Sequence, residues 1–299
     1  YFRRNLKINC RVLYKPLHYM NRKTCIIISG PTAVGKTDFA VELAQKHKTQ
    51  IISADSRQCY KELNIGVAKP SAGQLKSIQH YFINSHSIQE DVNVKVFEQY
   101  ALDAIQKIFE TNDVAVMVGG TGLYIKAFCE GIDDVPIVNE KIRNEINEAY
   151  KKNGIEWLQK EIQKQDPLYF TSGEIQNPQR MMRALEVKLS TGNSILDFHS
   201  GKKVKRDFEM QKINLELPRN ELYERINKRV DDMMNSGLLK EAESLFSCRH
   251  LNALQTVGYK ELFDFMEGKI SLDKAIDDIK KNTRHFAKRQ ITWFKKFSE

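Results

Sequence analysis

The segment Gly30-Pro31-Thr32-Ala33-Val34-Gly35-Lys36-Thr37 constrains this chain more than any other. It fits the phosphate-binding pattern G-x-x-x-x-G-K-[ST], in which glycines let backbone N–H groups curl around phosphate oxygens. Lys36 supplies a cation, and the Thr37 hydroxyl is placed to hold Mg²⁺. The apolar run Cys25-Ile26-Ile27-Ile28 leads into the loop. Phe39, Ala40, Leu43 and Ala44 follow it at helical spacing. The positive N-terminal end of that helix faces the same anion. A glycine-rich turn without a ligand is the bland reading, and the strand–loop–helix context outweighs it.

Two further apolar runs follow, one ending at Asp55 and one running from Asp113 into Gly119, Gly120 and Gly122. Apolar strands alternating with helices predict an α/β fold, a P-loop NTPase-like parallel sheet flanked by helices. Ligands of such sheets bind at the carboxyl ends of the strands, where Asp55 and the Gly119–Gly122 turn both fall. From about residue 136 to 200 the texture becomes helical and rich in Lys, Glu and Gln, with no buried-strand run. This span reads as a helical insertion in a core formed by 20–135 and 201–299. A strand is expected at 210–217, an amphipathic stretch at 220–246, and one or two helices from Leu272 onward. Residues 1–19, ahead of Met20, read as a basic leader that precedes the natural start.

With 41% hydrophobic and 28% charged residues in 299, the chain is neither fibrous nor disordered. Cys10, Cys25, Cys59, Cys129 and Cys248 are scattered without a C-x-x-C pair, as expected for reduced thiols in the cytoplasm. No apolar run approaches the roughly 18 residues that span a bilayer, so no membrane partner is expected. The net charge of +9 points toward a polyanion. Seven of its positives (Arg3, Arg4, Lys7, Arg11, Lys15, Arg22 and Lys23) lie in the first 23 residues, leaving 40 basic against 38 acidic residues. Any case for a nucleic acid therefore rests on local clusters.

The loop alone does not fix the reaction. A kinase or ATPase would usually place an acid at the end of a second buried strand to hold Mg²⁺. Here the run Val114–Val118 ends in Gly119. Asp55 closes the other strand, and by pattern it is a metal ligand, a base or a helix cap.

Gly30–Thr37, the segment Ser53–Pro70 with its Asp-Ser-x-Gln-x-Tyr core, Val116–Ala127, Asn177–Val187, Thr256–Leu262 and Arg284–Phe294 occur in this order. Together they resemble the tRNA dimethylallyltransferases. The resemblance implies transfer of a dimethylallyl group from dimethylallyl diphosphate to the exocyclic amine of the adenosine 3′-adjacent to certain tRNA anticodons. The loop would then hold a diphosphate leaving group. The resemblance makes Asp55, Thr121 and Lys36 catalytic. It places Gly30, Thr32, Ala33, Val34, Gly35, Lys36, Thr37, Arg229 and Arg284 at the diphosphate, with Thr37 contacting Mg²⁺.

A delocalised aromatic amine is a poor nucleophile, so a carboxylate accepting its proton helps, and Asp55 matches that role. The adenine would have to leave its stack to reach such a site. Family positions contacting tRNA map onto Asp55, Ser56, Arg57, Gln58, Thr121 and Arg143. They continue at Gln179, Arg180, Met181, Met182 and Arg183, and at Gln255, Thr256, Val257, Gly258, Tyr259 and Lys260. Arg180 and Arg183, three apart on a helix, would share a face. At the far end the basic series Lys280, Lys281, Arg284, Lys288, Arg289, Lys295 and Lys296 holds no acid. The interleaved Phe286, Trp293, Phe294 and Phe297 read as a core stripe. With no Cys/His set toward Glu299, the bacterial form without zinc is expected, acting as a monomer. The rivals are prenylation of free AMP, ADP or ATP, a small-molecule P-loop kinase, and a catalytically silent tRNA-binding protein.

Overall fold

A computed structural model describes residues 22–297 and, as backbone, 7–9. The leader outside Lys7–Asn9, with Cys10, lies outside the described residues. The elements are β1 (Lys7–Asn9), β2 (Thr24–Ser29), α1 (Lys36–His47), β3 (Ile51–Ser53), α2 (Ala72–Ser77), β4 (His80–Tyr81), α3 (Val94–Thr111), β5 (Val114–Val118) and α4 (Gly122–Glu130). Then come α5 (Glu140–Gln165), α6 (Pro167–Ser172), α7 (Pro178–Thr191), β6 (Glu209–Glu216), α8 (Arg219–Asn235), α9 (Leu238–Leu245), α10 (Tyr259–Met266) and α11 (Leu272–Phe297).

The sheet order is β1-β6-β2-β5-β3-β4, with five parallel strands and β1 added antiparallel to β6. Three leader residues thus extend a sheet that the sequence reading drew without them. Side chains alternate across a strand, so a strand covered on both faces must be apolar at every position. In β2, Cys25 and Ile27 face one layer while Ile26 and Ile28 face the other. The first layer is closed by α3, α4, α9, α10 and most of α11, the second by α1 and α8. The amphipathic stretch at 220–246 is two helices, because Gly237 adopts a left-handed φ of 99° between α8 and α9.

The chain divides into two compact units, Ile132–Val204 and the remainder. The smaller unit is helical. Its α5 breaks at Gly154, whose φ is 73°. Its core contains Ile146, Leu158, Ile162, Tyr169 and Leu185, joined by Met181 and Met182. Both methionines are buried, which corrects their expected placement as tRNA contacts. On α7 they fall on the face opposite the arginines that flank them, and that face closes the unit's own core.

Candidate active site

The carboxyl ends of β2, β3 and β5 bring three loops together in the larger unit. The phosphate loop leaves β2, and α1 starts directly after Gly35 (φ 100°), so its first N–H groups line the turn. Lys36 Nζ donates to the Pro31 carbonyl at 2.7 Å. Its ammonium end is enclosed although the residue keeps partial exposure. Burial, with Arg229 adding like charge, pushes its pKa down to about 7, against an opposing pull from Asp55. Arg229, from α8, reaches the loop from the other side and donates to the Thr32 hydroxyl at 3.5 Å. Burial lowers its pKa as well.

Asp55 follows β3. Its Oδ1 accepts the backbone N–H groups of Arg57 at 2.9 Å and Gln58 at 3.3 Å, which closes a tight turn and orients the carboxylate. The turn after β5 is stitched to that segment. Thr121 N–H donates to the Ala54 carbonyl at 3.2 Å, and Thr121 Oγ1 accepts the Ser56 N–H at 3.0 Å. The hydroxyl thus sits one residue from Asp55 as a neighbour in space.

A cavity of about 690 Å³ opens over this junction. Its lining includes the polar residues Thr32, Asp55, Ser56, Arg57, Thr121 and Arg229. It also includes the apolar residues Val67, Val230, Met233, Leu238, Ile270, Ile279 and Phe286. Gln255, Thr256, Val257, Gly258 and Lys260 line it too, whereas Gly30, Ala33, Val34, Gly35, Lys36 and Thr37 do not.

Other expected residues lie elsewhere. Gln58 is held internally, donating to the Val67 and Ala68 carbonyls and accepting from Ser53 Oγ. Tyr259 is fully buried, and its hydroxyl donates to Glu241 Oε1 at 2.6 Å, so it supports the wall and does not face a ligand. Arg284 donates to Asn227 Oδ1 at 2.6 Å, faces the Tyr223 ring and does not line the cavity. In the smaller unit, Arg143 and Arg183 converge on the buried Glu186, at 3.4 Å each. Arg180 instead pairs with Glu174 at the surface, beside exposed Gln179. The two arginines of α7 are therefore engaged separately.

A profile of the IPP transferase family matches residues 58–297. The chain belongs to this family. It is 48% identical over 274 residues to the tRNA dimethylallyltransferase of Christiangramia forsetii, covering 92% of this chain and 91% of that one. Among solved structures it is similar to the tRNA isopentenylpyrophosphate transferase from Bacillus halodurans, with 34% identity and a TM-score of 0.64 over 92% and 87% of the two chains. A eukaryotic dimethylallyltransferase described as acting on tRNA gives 27% identity and a TM-score of 0.75, over 91% and 69%.

Three features of this IPP transferase's site escaped the sequence reading. Phe286, assigned there to a core stripe, is 40% exposed on the cavity with Arg289 beside its ring at 5.7 Å. Phe294 keeps the core role expected of it. Glu241 accepts the N–H groups of Asn64, Ile65 and Gly66 at 2.8–3.2 Å, pinning the segment that leads to Val67. Gln290 bridges two of the converging loops. No helix among the described residues is long and apolar enough to cross a membrane.

Proposed function

We propose that this IPP transferase moves a dimethylallyl group from dimethylallyl diphosphate to the exocyclic amine of the adenosine next to the anticodon of a tRNA, in the cytoplasm. One observation carries the reading. Thr32 of the phosphate loop and the Asp55–Thr121 junction line one cavity, whose lining also includes several apolar side chains. An allylic diphosphate needs an anion cradle and an apolar wall side by side, and an acceptor amine needs a carboxylate facing both.

In the reaction the C1–O bond of the donor breaks and a C1–N bond to the amine forms. The electron pair of the broken bond leaves with diphosphate. Backbone N–H groups of the loop, Lys36 and Arg229 stabilise the charge that grows there. Asp55 accepts the proton the amine loses, and Thr121 orients the amine or a phosphate oxygen. Ser56, Arg57 and the wall from Gln255 to Lys260 hold the nucleotides around the flipped base. Arg143, Gln179, Arg180 and Arg183 grip backbone phosphates.

Among the described residues there is no group of three or more His, Cys, Asp or Glu able to hold a metal. Mg²⁺ binds through one or two protein oxygens and takes the rest from phosphate and water. Thr37 would supply the protein oxygen, and Mg²⁺, when bound, adds positive charge at the leaving diphosphate. The sheet position where a kinase would carry its second acid is Gly119, which argues against phosphoryl transfer.

Incubation with labelled dimethylallyl diphosphate and either tRNA or AMP tests the reading. Label is expected on tRNA in adenosine 3′ to the anticodon. Label on AMP alone, or phosphoryl transfer from ATP at ordinary enzymatic rates, would overturn it.

A further inference from the structure

We infer that Gln290 is a positioning residue for transfer, holding the phosphate loop and the Thr121 turn at a fixed separation. The inference rests on the functional reading above. Gln290 lies on α11 and is only 7% exposed. Its Oε1 accepts the N–H of Thr32 in the phosphate loop at 2.8 Å. Its Nε2 donates to the carbonyl of Gly120, the residue before Thr121, at 2.9 Å. One rigid amide therefore spans the two loops, each atom satisfied in one orientation only.

Among the described residues no other hydrogen bond joins these loop tips. Asp55's segment and the Thr121 turn are tied by several bonds, but the turn meets the β2 side through Gly119 N–H and the Ile28 carbonyl, below the phosphate loop itself. The packing is close enough to fix the distance. A Cβ added at Gly120 would collide with Gln290 Nε2, and one at Gly122 would collide with the indole of Trp293, one helical turn further along α11. In-line displacement needs the leaving diphosphate, the allylic carbon and the amine at set distances. A misplacement of about 1 Å costs on the order of 100-fold in rate. Gln290 does not line the cavity, so its effect falls on kcat.

The test compares full-length wild type, Gln290→Leu and Gln290→Glu. Gln290→Leu removes both bonds. Gln290→Glu keeps the acceptor for Thr32 and loses the donor to Gly120. Steady-state transfer is measured with tRNA and dimethylallyl diphosphate, together with direct binding of each. The expected result is a kcat loss of about 100-fold in Gln290→Leu and a smaller loss in Gln290→Glu, with both KM values and both affinities within about threefold of wild type. If Gln290→Leu does not fold, the same split is read from Gln290→Glu alone. A folded variant with wild-type kcat overturns the inference. So does a loss confined to KM for dimethylallyl diphosphate, which would make Gln290 a ligand contact. Wild-type transfer to tRNA in the same assay separates failure of this inference from failure of the functional reading.

Discussion

Binding of dimethylallyl diphosphate to this loop is expected to take up a proton, and Lys36 is where the proton goes. Burial and the neighbouring Arg229 hold that lysine at a pKa of about 7 in the free protein. One unit above its pKa a group is about nine-tenths deprotonated, so at pH 8 most molecules carry neutral Lys36. A diphosphate in the loop favours the ammonium and drives its pKa back up. Uptake at pH 8 is therefore close to 0.9 proton per diphosphate, falling to about 0.1 at pH 6, where the lysine is already charged. Affinity weakens up to tenfold per pH unit above 7, until the pKa of the complex is reached. Titration calorimetry in two buffers of different protonation enthalpy measures the uptake, and Lys36→Met supplies the baseline for protons on the ligand. Equal uptake at pH 8 in wild type and Lys36→Met would refute the reasoning, as would uptake that does not rise from pH 6 to 8. The same shift fixes a stability slope. The folded pKa lies below the unfolded value of 10.5, so between about pH 7 and 10.5 the unfolded chain holds the extra proton. Stability of the free protein consequently rises with pH across that window, and Lys36→Met flattens the rise.

The elements that were legible in the sequence are those whose signal is local. β2 from Cys25 to Ile28 and all of β5 are apolar because both faces are covered, and the loops after them carry glycines where backbone must approach phosphate or a neighbouring strand. Asp55 stood out because it ends such a strand. Helix α3 had an equally local signal, with Phe97, Ala101, Ala104, Ile105 and Ile108 at helical spacing, but no chemistry drew notice to it. Gln290 had none, since it meets Thr32 across 258 residues and only the packing of α11 decides which face does so. Motif resemblance also failed to separate residues that touch a ligand from those that support them. Met181, Met182 and Tyr259 sit within matched blocks, yet a buried methionine pair and a tyrosine hydroxyl spent on Glu241 serve the architecture. Phe286 erred in the other direction, because a helical aromatic stripe does not say which of its members the core leaves uncovered.

Asp55→Ala is expected to lower the transfer rate about 10²- to 10⁴-fold, the range for a lost general base, with tRNA affinity within a few-fold. Near-normal turnover in a rapid-quench assay would remove Asp55 from that role. Arg180→Ala is expected to weaken tRNA binding and to reduce the slope of log affinity against log salt by about one unit, read from filter binding across a salt series. An unchanged slope would mean Arg180 meets no phosphate. Tyr259→Phe removes one hydrogen bond to a carboxylate that keeps three backbone donors, so no buried charge is orphaned. Its cost is therefore about 1.5–3 kcal/mol of stability, visible as a lower melting temperature, while KM for tRNA stays within about twofold. Because the ring is buried, a raised KM with unchanged melting would contradict the supporting role and return Tyr259 to the substrate surface.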